Sequence, residues 1–133
     1  MAEGIVAGGG VALLRAVAAV EAEEERCEGA VRTGVHILKA ALEIPIRQIA
    51  RNAGVDEGPV VQKILAGSGF FGFDARTKTY GNLDELGIID PAKVVRIALQ
   101  NAVEVASTLL LAEATMVEVE DPQTDRAVPP MME

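Results

Sequence analysis

Apolar residues recur at helical spacing along most of this chain. Between residues 10 and 25, Val11, Leu14, Val17 and Ala18 fall on one face, the three-to-four spacing of an amphipathic helix, and the run EAEEER closes the segment with charge. A second helical segment opens at Gly29 and keeps the period through Val31, Val35, Leu38 and Leu42. Proline lacks a backbone donor and restricts the residue before it, so Pro45 predicts a break or kink after Ile44 and a third helix over PIRQIARNAG. Gly54 stands where that helix needs a C-terminal cap. VDEGPVVQKILAG predicts a short fourth helix, with Asp56 as its N-cap and Gly67 at its end.

From Ser68 to Ile89 the period changes. GFFGFDARTKTYGNL alternates and carries turn residues, which predicts a β-hairpin near residues 70 to 81 holding all three Phe and the single Tyr. A long helix follows DELGIID, with Asp90 as N-cap and Pro91 at the first helical position. Val94, Ala98, Ala102, Val105 and Leu109 line one of its faces, a ridge small enough to admit a close partner. TMVEVE, residues 115–120, alternates as a strand, and the polar, Pro-rich stretch 121–133 is expected to be a disordered tail. The fold class predicted is mainly α: about five helices, a small β-hairpin and a C-terminal edge strand, with no internal repeat.

Composition narrows the class. A chain of 133 residues has the length of about one domain. Half of the residues are hydrophobic but only 3% are aromatic, so the apolar mass is aliphatic and suits close helix packing, or a piece of a larger core. A net charge of −8 and a pI near 4.7 argue against nucleic acid and anionic membrane surfaces, which need basic patches. Cys27 is the sole cysteine, so no internal disulfide forms, and a reducing, cytoplasmic setting is expected. The N-terminus shows no signal-peptide pattern, and the uninterrupted apolar runs are too short to span a bilayer.

Few residues offer chemistry by themselves. In GIVAGGGVALLRAV, Gly8 and Gly10 fit the first two positions of a dinucleotide fingerprint, but the third would fall on Leu13. No Gly-Lys-Ser/Thr is present, which excludes a P-loop. The glycines predict a tight turn at a helix N-terminus, where backbone approaches a neighbour or a ligand closely. His36 has no second His or Cys at ligand spacing, so it reads as a packed or surface histidine and no metal site is expected. Cys27 lacks a nearby base and reads as an inert thiol, and EAEEER reads as a solvated helix face.

The order of four stretches gives the glycines a meaning. EGIVAGGGVALLR, IPIRQIARNAG, FGFDARTKTYGNL and GIIDPAKVVRIALQNA follow one another as they do in the C-terminal part of the equatorial domain of group I chaperonins, the GroEL family. The resemblance runs from about Glu3 to Glu120, so residues 1–120 are expected to form that segment of an ATP-binding domain. It implies that Gly9, flanked by Gly8 and Gly10, lies against the ribose of ATP. It further implies that Asp74, Ala75 and Arg76 meet the adenine, that Asp90 accepts from the ribose hydroxyls, and that Ile88 packs near the base.

The family's triphosphate, Mg²⁺ and K⁺ ligands belong to an Asp-Gly-Thr-Thr-Thr loop that this sequence does not contain, and its catalytic Asp falls before the matched segment. The resemblance therefore implies a component of an ATP-driven protein-folding chaperonin, a fragment that neither hydrolyses ATP nor binds it tightly by itself. The implied partners are other chaperonin subunits in heptameric rings, with unfolded proteins and the co-chaperonin engaged through domains outside this match. No nucleic acid or membrane partner is expected, and homo-oligomers of the chain are possible on its uncovered faces. The family's ring-to-ring ion pair maps to Arg47 with Asp56 or Glu57, and TMVEVE maps to a strand that pairs across the subunit boundary. Asp74 stands where the family prefers Asn, exchanging an amide for an acceptor-only carboxylate, and Arg76 replaces a small residue. LLLAEATMV lacks the family's Thr-Thr-Glu, and the Gly-Gly-Met tail is missing. A self-contained nucleotide enzyme is the rival that lacks phosphate ligands, and a helical interaction module without nucleotide is the rival that leaves the motif order unexplained.

Overall fold

The computed structural model describes residues 3–114 and 116. A short strand β1 (Ile5–Ala7) leads through the triple glycine into helix α1 (Val11–Glu24), and helix α2 (Gly29–Asn52) returns beside it. Helix α3 (Glu57–Ala66), strands β2 (Phe71–Asp74) and β3 (Thr79–Asn82), strand β4 (Ile89–Pro91) and helix α4 (Ala92–Leu111) complete the order. Both sheets are two-stranded and antiparallel: β2 pairs with β3, and β1 pairs with β4 across more than eighty residues of sequence, in register Val6 to Asp90.

The core follows the predicted stripes in part. Val11, Leu14 and Val17 of α1 meet Leu42, Ile46 and Ala50 of α2, Val60, Val61 and Ile64 of α3, and Phe73 and Leu83 around the hairpin. Each such aliphatic side chain contributes about 1.5–3 kcal/mol when fully buried. The start of the α2 stripe stays outside, with Val31 65% exposed, and the stripe joins the core from Leu38 onward.

Three expectations are corrected. Pro45 does not divide its helix: α2 runs continuously from Gly29 to Asn52 with the proline inside it, and the described residues hold four helices. Proline costs the ladder one bond, to the carbonyl four residues back, but Leu42, Ile46 and Ala50 on one face hold both halves against α1 and α3. Asp90 does not cap α4, because residues 89–91 are drawn into β4; Pro91 holds the N-cap position, no side chain caps the helix, and the Ala92 N–H donates to the Gly4 carbonyl at 3.1 Å. Strand β1 has no counterpart in the sequence-based prediction.

α4 departs from expectation in another way. By length and composition it could cross a bilayer, with mean hydropathy 1.4 and none of that window buried, although no uninterrupted apolar run reaches that length. Arg96 and Glu104 interrupt the helix, and a charged side chain near a bilayer centre costs about 2.5–3.5 kcal/mol. The expected strand over 115–120 and the tail 121–133 lie outside the described residues, apart from Met116, which is exposed and in no element.

The remaining local signals hold. Asp56 caps α3, its carboxylate accepting from the Gly58 N–H at 3.0 Å, and Gly54, just past α2, takes the left-handed conformation at φ 68°. In the hairpin Phe73 faces Tyr80 across the strands with ring centres 5.3 Å apart, and Lys63 Nζ lies 4.0 Å from the centre of the Tyr80 ring.

Candidate functional site

The three glycines do three different things. The Gly8 N–H donates to the Ile88 carbonyl at 3.0 Å, and a Cβ on Gly8 would lie 3.0 Å from that oxygen, so this residue extends the pairing of β1 with β4. Gly10 is the N-cap of α1 at φ 80°, where a Cβ would lie 2.9 Å from the Ile46 backbone nitrogen. Its hydrogen lets α1 start directly against α2. Gly9, at φ 62°, has room: a Cβ would come no nearer than 3.9 Å to the Ile88 Cγ2 and the Phe73 carbonyl oxygen. The bare Gly9 backbone thus lies within van der Waals reach of Ile88 and the end of β2. No side chain caps the first turn of α1 and no acidic residue stands in it, so the positive end of its dipole is uncompensated from within the helix.

The hairpin turn follows that strand end. Asp74, only 6% exposed, is fixed by its own turn: Oδ1 accepts from the Arg76 N–H at 2.8 Å and the Thr77 N–H at 3.4 Å, and Oδ2 accepts from the Thr77 hydroxyl at 2.8 Å. The Thr77 hydroxyl and the Arg76 amide hold the Asp74 carboxyl below its usual range. Both oxygens are therefore committed within the protein. Ala75 is half-buried against the core, whereas Arg76 is exposed.

Asp90 occupies different surroundings. It is half-buried in β4 opposite Val6, and it is the one charged residue lining an open groove of about 480 Å³ between α4 and the α1–α2 pair. Gly10, Leu13 and Val94 flank it there. The fold thus brings Gly8, Gly9, Ile88 and the Phe73–Asp74 strand end together, with Asp90 in β4, two residues after Ile88. Arg76 stands at the outer edge.

Other charged residues are engaged away from this place. The EAEEER face is more than a solvated surface: the Glu24 carboxylate reaches His36 Nδ1 at 2.9 Å and Lys39 Nζ at 3.0 Å, and Lys39 foremost holds the Glu24 carboxyl below its usual range. His36 is mostly exposed. Cys27 is a free, half-exposed thiol. Arg47 bonds Glu43 at 2.6 Å and lies 3.6 Å from Glu57, which also pairs with Arg51. Asp56 is occupied as a cap. Among the described residues no three His, Cys, Asp or Glu side chains group as a metal would need.

Arg15 was not picked out from the sequence. Its guanidinium reaches from α1 to the Gly67 carbonyl at 2.7 Å and the Phe71 carbonyl at 3.3 Å, while its Nε is buried without a partner. It ties the start of the hairpin to the helix that leaves the glycine turn. A lone arginine in the otherwise apolar VALLRAVAAV was the available signal.

Comparison with known proteins gives three findings. A sequence model of the TCP-1/cpn60 chaperonin family matches residues 1–120. The chain is 60% identical over 130 residues to Chaperonin GroEL 5 of Bradyrhizobium diazoefficiens, covering 98% of this chain and 24% of that protein. It therefore spans about a quarter of the length of the curated relative. Its fold is similar to the open-state monomer of a group II chaperonin from Methanococcoides burtonii, with a TM-score of 0.75 at 21% identity, over 81% of this chain and 28% of that one. At that identity the second likeness concerns fold alone, and it agrees with the mainly α architecture.

Proposed function

Because this chain belongs to the TCP-1/cpn60 chaperonin family, we propose that residues 1–120 work as part of the ATP-binding domain of a protein-folding chaperonin and supply the nucleoside side of its nucleotide site. One observation supports this above the others. Stretches far apart in sequence, Gly8–Gly9, Phe73 and Ile88, lie against one another, and a Cβ on Gly9 would meet nothing nearer than 3.9 Å. Bare backbone there admits a sugar ring at van der Waals distance, and the Ile88 side chain offers an apolar surface to a base.

The residues fit the parts of ATP unequally. Asp90, free of the helix cap, is the acceptor suited to ribose hydroxyls. Asp74 fits the base poorly through its side chain, since both its oxygens are spent on the turn. Contact with the base then falls to the backbone around Ala75 and to the Arg76 side chain. Nothing in this set neutralises a triphosphate or holds Mg²⁺ or K⁺, and those ions would supply charge neutralisation of the phosphates from ligands elsewhere in an assembled subunit. The chain by itself is then no ATPase. Ring subunits as partners and a cytoplasmic setting belong to the same reading.

The reading is tested in two steps. Calorimetric titration of the chain with Mg-ATP should show no micromolar binding and no phosphate release. Exchanged for the matching segment of its 60% identical relative, the chain should sustain ATP hydrolysis, and Gly9→Val or Asp90→Ala should abolish it without disturbing assembly. Hydrolysis unaffected by both substitutions would remove the nucleotide role.

A further inference from the structure

We propose that Arg15 is a positioning residue of the nucleoside site: its guanidinium sets where strand β2 lies along α1, and so where the end of that strand meets the glycine turn. This inference rests on the nucleotide reading, and the measurements below separate the failure of one from the failure of the other.

Three contacts run in order along β2 and the start of α1. The Phe71 carbonyl accepts from Arg15 Nη2 at 3.3 Å. A Cβ on Gly72 would lie 2.9 Å from Val11 Cγ2, so the next residue of the strand rests directly on the first residue of the helix. The Phe73 carbonyl oxygen then comes to 3.9 Å from where a Cβ on Gly9 would stand. Residues 71, 72 and 73 thus step back along the chain to residues 15, 11 and 9. Asp74, the next residue, opens the hairpin turn that carries Ala75 and Arg76.

Of these contacts only the one at Arg15 is directional. Val11 against Gly72 is apolar packing, which sets how close the strand lies and has no preferred direction. The guanidinium is a planar fork, and both of its ends are taken. Nη1 donates to the Gly67 carbonyl at 2.7 Å while Nη2 holds Phe71. Those two carbonyls bracket the connection from α3 into β2, which closes on itself where the Phe71 N–H donates to the Ser68 carbonyl at 3.1 Å. One side chain thereby fixes the start of the strand in position and in orientation.

Capping α3 does not account for an arginine here. Gly67 is the C-cap of that helix, and a cation at its carbonyl is favourable, but an ammonium supplies that as well. The arginine brings Nε with it, the one buried side-chain nitrogen or oxygen without a partner among the described residues. A buried donor left unpaired is destabilising. What offsets it is the second carbonyl, which belongs to the hairpin strand and not to α3.

The test uses subunits in which this chain replaces the matching segment of its 60% identical relative. Arg15→Met keeps a long apolar stem and removes both bonds. It should raise KM for ATP about tenfold and leave kcat within about twofold, because binding remote from the transferred phosphoryl group is lost equally from ground and transition states. Inhibition by adenosine, which meets only the nucleoside side, should weaken by the same factor, and inhibition by inorganic triphosphate should not change. Arg15→Lys should recover the urea midpoint more than it recovers KM, since one ammonium replaces the cap but not the fork. Val61→Ala, in the core of α3 at 3% exposure, should lower the urea midpoint without moving KM. An unchanged KM in Arg15→Met subunits that hydrolyse ATP would overturn the proposal. So would full recovery of KM by Arg15→Lys, equal weakening of adenosine and triphosphate inhibition, or a KM that follows the urea midpoint across all three variants. Assembled subunits carrying the unaltered segment that neither hydrolyse ATP nor respond to adenosine would refute the nucleotide reading itself, and the role of Arg15 falls with it.

Discussion

α1 and α4 carry apolar residues at the same spacing, and the fold treats them in opposite ways. Val11, Leu14 and Val17 of α1 are buried, whereas no residue of α4 is. Helix propensity does not separate them, since both are rich in Ala, Val and Leu. The connection does. α1 leaves a turn in which Gly10 has no side chain, so Ile46 of α2 can lie where a Cβ would stand, and the α1 stripe meets α2 and α3 at once. α4 leaves β4, which is held by a three-residue ladder to β1, by the Ala92 bond to Gly4 and by an exposed Arg96–Glu3 ion pair. Those contacts fix where the helix begins, Leu99 packs partly against the core, and the half of the helix beyond it stands off. An apolar stripe marks a face to be covered, and the chain entering the helix decides what covers it.

The sharpest test of that contrast is to truncate one side chain on each side of it. Ile46→Ala removes a side chain with no solvent exposure and should cost about 2–5 kcal/mol in urea unfolding. Leu110→Ala, at a position 83% exposed, should change stability by less than about 0.5 kcal/mol at concentrations too low for association. Similar losses at both sites would mean that α4 is covered within the monomer.

A smaller effect separates two neighbours in the glycine turn. Gly10→Ala meets both a left-handed backbone and the Ile46 backbone at 2.9 Å, and should cost at least about 2 kcal/mol, of which the backbone conformation accounts for about 1–2. Gly9→Ala meets the backbone term alone, with its nearest neighbours at 3.9 Å, and should cost about 1 kcal/mol. Chemical denaturation of the two variants under one set of conditions checks the order, and a Gly9→Ala loss as large as that of Gly10→Ala refutes it.

How much of this was legible in the sequence depended on how local the cause was. α1, α3 and the hairpin followed from spacing, Asp56 and the turn residues, because a cap or a turn is decided within a few residues. The elements that failed were decided at a distance. Pro45 predicted a break, but contacts of Leu42, Ile46 and Ala50 with other helices override the one lost bond. Asp90 predicted a cap, but β1, more than eighty residues earlier, draws it into a ladder. For the site, the four-motif order brought Gly8–Gly10, Ile88 and Asp90 to attention, and the fold places them near one another. What the order could not disclose was how Asp74 is used. That depends on Thr77 and the Arg76 amide in three dimensions, as the clamp from Arg15 to Gly67 and Phe71 depends on a helix packed against the start of the hairpin.

Asp74 and Asp90 carry the same contrast to single carboxylates, where the expected effect is smallest. Asp74 is covered and bonded three ways within its turn, and Asp90 lines an open groove and caps nothing. At neutral pH Asp74→Asn should lower the urea midpoint, because the amide keeps one acceptor oxygen and loses the charge that the Thr77 hydroxyl and the Arg76 N–H stabilise. Asp90→Asn should leave the midpoint unchanged. The sign with pH follows from the depressed Asp74 carboxyl: its contribution is complete above the ordinary carboxyl range, near pH 4, and is lost as pH falls through the lowered value. Glu3, Glu24 and Glu57 are lowered likewise, by Arg96, by Lys39 with His36, and by Arg51, so the wild-type chain loses stability in acid through several groups at once. The difference between wild type and Asp74→Asn isolates one of them. It should be widest at neutral pH and close as pH falls below the ordinary carboxyl range through the lowered value. A gap that stays constant on acidification would show that the turn is held by shape rather than by the carboxylate charge.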